Sequence, residues 1–347
     1  MNTTRTSALS WEELENQLRR ETPEEWSQRT KEASPNKFNQ IKLILSRFAT
    51  DSQIRSFFEI LSREMPNQGH LTRLLSNKIS NEGITRWEKR LKQRAPSFFS
   101  TQSNYSCTER EKEDHQILQY TIEGTDPTQT RTIIGFTGNG GMLMAPTACI
   151  LATLSTNRYN LIVIRRRYKG SYFDHKGRLL NSIYNHLQSI LNDQLENSII
   201  LGTSSGGLAA LYSTHALRLP LGIAFGAKAN ENTFSANGPI DEVSQENFLQ
   251  ETANNKKKAN TNLILVAGAN HKEDREGVRL ISNYFKEKHP NTSATTELLF
   301  RGCNDHHIPS DLARIGISLE QVLNAILQDK VDSLSRYLKK DEANGLK

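Results

Sequence analysis

Apolar residues along the chain change texture near residue 105. Before it they recur at helical spacing. Ile41, Leu43, Ile44, Leu45 and Phe48 form one cluster. A second follows Asp51 with Ile54, Phe57, Phe58, Ile60 and Leu61, and further members are Leu71, Leu74, Leu75, Ile79, Ile84, Trp87 and Leu91. Three to four residues between apolar positions make one face of a helix. Ser10 with Glu13 has capping-box spacing, and Thr22-Pro23-Glu24-Glu25 is a second helix start. Pro66 and Pro96 punctuate the pattern, since proline removes a helix donor and restricts its predecessor. Residues 1–100 therefore read as an all-helical N-terminal region, a small bundle or cap with no chemistry of its own.

After residue 105 the period shortens. Gln116 to Glu123 alternates as a strand does. Six short apolar runs follow, at Thr132–Phe136, Leu161–Ile164, Ser198–Leu201, Leu221–Phe225, Leu263–Val266 and Glu297–Phe300. Continuous rather than alternating runs suit strands buried on both faces, as parallel strands are. The stretches Leu179–Leu195 and Ser205–Leu217 suit the crossover helices that parallel strands require. The fold class is α/β, a doubly wound, mostly parallel sheet over residues 101–328 behind the helical N-terminal segment, with 329–347 as a charged C-terminal tail. Sites in such sheets lie beyond the carboxyl ends of the strands, so the loops after each run are where chemistry is expected. The polar stretch from Lys228 to Thr261 is long for a connection and predicts a lid or excursion.

Charge and cysteine content narrow the partners. The net charge is +6, from 44 basic and 38 acidic residues, a mild excess that predicts no nucleic-acid partner unless the bases gather on one face. No apolar run approaches the ~18 residues of a membrane span, and the first twenty residues do not resemble a signal peptide. Cys107, Cys149 and Cys303 are widely spaced and odd in number, which argues against zinc or a disulfide framework; a cytoplasmic setting is expected. No Walker lysine, complete dinucleotide fingerprint or metal-ligand spacing occurs, so no cofactor is expected.

The run Ser198–Leu201 leads directly into Gly202-Thr203-Ser204-Ser205-Gly206-Gly207 and then Leu208-Ala209-Ala210-Leu211. Strand, G-x-S-x-G and helix in that order describe a turn that exposes the central hydroxyl at its tip, above a positive helix end. Ser204 is thus the candidate nucleophile. A weak hydroxyl needs a base. After the last run, Gly302-Cys303-Asn304-Asp305-His306-His307-Ile308-Pro309 supplies two adjacent histidines.

With these pieces, residues 115–328 resemble the α/β-hydrolase superfamily of serine esterases and lipases. The resemblance implies a triad in the chain order serine, acid, histidine. It assigns His306 as base, with His307 as the alternative because one extra residue separates Gly302 from His306. It assigns Asp274 as the acid in Gly268-Ala269-Asn270-His271-Lys272-Glu273-Asp274, with Glu273 and Asn270 as alternatives; any of them could instead cap the helix starting near Arg275. His271 reads as exposed. The resemblance also places oxyanion-binding amides at Ser205 and in Gly138-Asn139-Gly140-Gly141, at Asn139 or Gly140, although the leading histidine of lipase loops is missing. The expected activity is hydrolysis of an ester or thioester through an acyl-serine, with acyl transfer or a non-catalytic scaffold as alternatives. Arg165, heading Arg165-Arg166-Arg167-Tyr168-Lys169 after a predicted strand, could grip an anionic acyl substrate. The N-terminal helices are the candidate surface for a protein partner.

Overall fold

A computed structural model describes residues 10–31, 35–50, 105–126, 130–139, 141–145, 147–167, 171–173, 178–235, 261–290, 293–306 and 308–339, with scattered residues between 53 and 99 and residue 240. Three helices open it: α1 (Trp11–Leu18), α2 (Pro23–Lys31) and α3 (Pro35–Phe48). The Ser10–Glu13 capping box is formed in both directions. The helical clusters expected between Asp51 and Leu91 lie largely outside the described residues, as do Lys256-Lys257-Lys258 and most of the polar stretch before Thr261.

Eight strands form one sheet: β1 (Tyr105–Glu111), β2 (His115–Ile122), β3 (Thr132–Phe136), β4 (Asn160–Arg166), β5 (Ile199–Thr203), β6 (Leu221–Phe225), β7 (Thr261–Gly268) and β8 (Ser293–Phe300). The order across the sheet is β1-β2-β4-β3-β5-β6-β7-β8. β1 with β2 and β2 with β4 pair antiparallel, and every other neighbour is parallel. The six predicted runs are β3 to β8. β1 was not legible, because its Ser-Cys-Thr-Glu-Arg-Glu run is polar and only Tyr105 is buried; edge strands can stay polar where one side faces water.

Between the strands run α4 (Thr147–Ser155), α5 (Arg178–Leu191), α6 (Ser205–Ala216), α7 (Lys272–Lys288), α8 (Ile308–Arg314) and α9 (Leu319–Leu327). Strand alternation divides the core in two. Ile134, Ile162, Ile200 and Leu265 face a layer with Leu180, Leu187, Leu211 and Ile281 of α5, α6 and α7. Leu161, Val163, Leu201 and Val266 face Leu154, Leu312 and Leu323 of α4, α8 and α9, in a cluster that also holds Leu18, Trp26, Ile41 and Ile44 of the N-terminal helices. The helical segment is packed on the sheet rather than set apart from it. Among the described residues Trp11 is the large apolar side chain left exposed.

The charged C-terminal segment enters the fold as far as Lys339. A 3-10 turn over Val331–Tyr337 buries Leu334, and Leu338 bridges to Phe300 of β8. One buried leucine and a bridge hold a stretch whose composition alone reads as solvated.

The strand order reverses at β3: β4 lies on one side of it and β5 on the other. The crevice at such a switch point is where ligands bind in open α/β sheets. Here it separates the loop after Phe136 from the turn at Thr203. This layout is α/β-hydrolase-like.

Candidate active site

Ser204 sits at that crevice with φ +51° and ψ −120°. A non-glycine residue in this region is strained, and such strain persists only where surroundings over-determine it. The neighbouring glycines show what does so. A Cβ on Gly202 would lie 2.3 Å from the Gly206 carbonyl oxygen, and one on Gly206 would lie 2.4 Å from that of Phe136. The helix α6 therefore crosses β5 and β3 at a separation that only glycine permits. The Gly207 amide donates back to the Ser204 carbonyl at 3.0 Å, which closes the turn into the helix.

The Ser204 hydroxyl lies 3.0 Å from His306 Nε2, and His306 Nδ1 lies 2.7 Å from Asp274 Oδ1. These are hydrogen-bond distances across more than a hundred residues of sequence. His306 is held in the loop between β8 and α8. Asp311, in the first turn of α8, accepts the amides of Asn304 at 2.5 Å and Asp305 at 2.7 Å, which shapes the turn before the histidine. His307, the alternative base, lies outside the described residues.

Asp274 is the carboxylate brought to His306, and it is only 3% exposed. Glu273 is exposed, and the Asn270 side-chain amide donates to Asn304 Oδ1 at 2.9 Å. The sequence alternatives thus diverge once α7 begins at Lys272, three residues earlier than expected. The capping role falls to His271, whose Nδ1 accepts the Asp274 amide at 3.2 Å. That residue is half-buried rather than exposed, because capping draws its ring onto the helix. Freed from capping, the Asp274 side chain turns toward His306. Its Oδ2 is buried with no hydrogen-bond partner among the described residues.

His271, Asp274 and His306 also offer donor atoms within 4.8 Å of one another, a set that could hold a metal ion. His306 Nδ1 already bonds Asp274 Oδ1 and His271 Nδ1 already accepts the Asp274 amide, so an ion held by these two nitrogens would displace both hydrogen bonds.

The loop after β3 lies against the serine. A Cβ on Gly138 would approach Ser204 Cβ to 3.3 Å. Asn139 Oδ1 accepts from the Ser205 hydroxyl at 3.1 Å, so this loop and the start of α6 are joined. Gly140 lies outside the described residues.

Arg165, the expected anion contact, lies at the end of β4, and its neighbour Arg166 reaches the loop after β3 and the start of α6. Its Nη2 donates to Asn139 Oδ1 at 2.5 Å and to Ser205 Oγ at 3.3 Å. Strand parity decides this: Arg166 follows Ile162 and Ile164, which face α6, whereas Arg165 follows Leu161 and Val163 on the other face.

A cavity of about 310 Å³ opens beside Ser204. Met142, Met144, Ala145, Ile308 and Pro309 give it apolar walls, and Arg94, Lys228 and Asp305 line it with charge. Arg94 belongs to the helical N-terminal region and donates to Ser310 Oγ at 3.1 Å. Neither it nor Lys228 carried a local sequence signal, since only the fold brings them to the serine.

No protein-family model and no curated protein matches the sequence. Among solved structures the chain is similar to the capsule O-acetyltransferase of Neisseria meningitidis serogroup A, at 18% identity and a TM-score of 0.42, over 63% of this chain and 94% of that one. It is similar to esterase B from Lactobacillus rhamnosis, at 12% identity and a TM-score of 0.46, over 73% and 93%. It is also similar to a 2,6-dihydroxy-pseudo-oxynicotine hydrolase, at 13% identity and a TM-score of 0.44, over 99% and 94%. At such identities and scores the α/β-hydrolase-like fold rests on this chain's own strand order, switch point and serine turn.

Proposed function

We propose that this protein is a serine hydrolase that cleaves a small ester or thioester through an acyl-Ser204 intermediate. The observation that carries the reading is the unbroken hydrogen-bonded run from Ser204 Oγ through His306 to Asp274 Oδ1, built on a serine held at φ +51°. As Ser204 Oγ attacks the acyl carbon, its proton passes to His306 Nε2. Asp274 holds the imidazole by Nδ1 and stabilises its charged form. The carbonyl oxygen gains negative charge against the Ser205 amide, at the positive end of α6, and against an amide of the loop after β3, at Asn139 or Gly140. Collapse returns the His306 proton to the leaving oxygen or sulfur. Water, deprotonated by the same imidazole, then releases the acid and restores the serine.

The substrate we infer is small and carries an anionic group near the ester. A 310 Å³ cavity is at the small end of ligand sites, and two cations line it against one carboxylate. A reducing, cytoplasmic setting fits the three cysteines, which are all free thiols.

The test is labelling with a fluorophosphonate probe followed by turnover of an ester and thioester panel. Wild type should label and Ser204→Ala should not. A folded wild type that fails to label and cleaves no member of the panel would leave the scaffold reading in its place. Labelling with transfer to an alcohol in preference to water would make the protein an acyltransferase.

A further inference from the structure

Arg166 has no part in the steps above, yet it lies between the two segments that would bind the oxyanion. Its Nη2 reaches Asn139 Oδ1 at 2.5 Å and Ser205 Oγ at 3.3 Å. The Ser205 hydroxyl closes the triangle by donating to Asn139 Oδ1 at 3.1 Å. Three residues from three elements are thus tied together: the end of β4, the loop after β3 and the first turn of α6.

The guanidinium is itself held. Its Cζ lies 4.7 Å from the centroid of the Tyr172 ring, within cation–π range. The Tyr172 hydroxyl donates to the Thr137 carbonyl at 3.1 Å, in the same loop after β3. Arg167 next to it pairs with Glu111 at 2.5 Å, but no ion pair involves Arg166 among the described residues. Its charge stays uncompensated there, a few bonds from the first amide of α6.

We propose that Arg166 is a positioning residue for catalysis. It fixes the separation of the Ser205 amide from the loop after β3 and sets a positive charge behind the developing oxyanion. Preorganised donors and charge act where the transition state differs from the substrate, so their loss lowers kcat more than it raises KM. Nη2 donates both bonds from a flat guanidinium laid over the Tyr172 ring, a stack that a compact, strongly hydrated ammonium does not reproduce. The inference rests on the acyl-serine reading and deepens it.

The experiment uses the full chain carrying Arg166→Met, Arg166→Ala or Arg166→Lys, with p-nitrophenyl acetate as a neutral ester. Arg166→Met should lower kcat about 100-fold while KM stays within about threefold. Affinity for a boronic acid transition-state analogue should fall by a similar factor. Arg166→Ala should regain part of its kcat with added millimolar guanidinium, and Arg166→Lys should stay low. Asn139→Ala removes the acceptor and leaves the arginine; its loss should not multiply with that of Arg166→Met. An unchanged kcat, a rise in KM alone, or fully multiplicative losses in folded variants would overturn the proposal. If Arg166→Met labels with fluorophosphonate as fast as wild type, only this inference falls. If wild type neither labels nor turns over, the acyl-serine reading falls and takes the inference with it.

Discussion

Helices α6 and α7 each meet the candidate triad at one end and a histidine at the other, and the two ends hold those groups differently. At their N-termini, α6 follows Ser204 and α7 supplies Asp274 to His306. At their C-termini, His215 of α6 packs against His289 just past α7, with tilted rings 3.9 Å apart between centroids, and bonds the Ser293 hydroxyl at 2.8 Å. The first histidine has a carboxylate; the second has another histidine. A helix C-terminus favours a charged imidazole. Burial overrides it here, pushing His215 down to about 4, with His289 and Arg218 adding like charge. Buried against another histidine, His215 is held neutral near pH 7 and serves as a packing element.

The largest expected effect separates the two ends by activity. Ser204→Ala should cost on the order of 10⁶ in kcat, and Asp274→Asn about 10⁴, since the amide no longer holds the required tautomer. His215→Asn should leave kcat within about threefold. A steady-state comparison at pH 8 checks all three, and a comparable loss in His215→Asn would erase the distinction.

Stability should separate them the other way. His215 binds its proton near 6.5 when unfolded and near 4 when folded, so the unfolded chain takes up more protons between these values. Its contribution is complete above pH 6.5, falls as pH drops toward 4, and levels off below. The change should be about 3 kcal/mol, and His289, also held down by burial, adds in the same direction. Urea midpoints between pH 7.5 and 4.5 should drop less in His215→Asn than in wild type; parallel curves would count against a neutral, buried pair.

A smaller effect concerns what the proposed catalytic end selects. Arg94→Ala and Lys228→Ala should each reduce kcat/KM for a monosuccinate ester about tenfold relative to a neutral ester of similar size. Equal losses on both esters would assign these cations to packing. The smallest effect falls on Cys303, whose thiol is pushed up to about 11 by burial and by Asp311. It should react with iodoacetamide at pH 8 at least about tenfold more slowly than the more accessible Cys107, as peptide mapping would show.

The linear pattern by itself determined the parallel strands β3 to β8 and the serine turn. Continuous apolar runs have one good use, burial on both faces, and Gly202-Thr203-Ser204-Ser205-Gly206 has meaning because a strand precedes it and a helix follows. Asp274 and His306 came from the resemblance those pieces carry, and only as members of short lists. Choosing among Glu273, Asp274 and Asn270 requires knowing where α7 starts and that His271 caps it, a difference of one or two residues that turns a side chain through a large part of a helical turn. That Arg166 meets Asn139 and Ser205 turned on strand parity, which the apolar run hints at but does not resolve at its polar end. Arg94 and Lys228 reached the cavity only through tertiary packing. Local pattern decides which elements form, because propensity and periodicity act over a few residues; which side chains meet across them is decided by where the sheet and its loops put them in space.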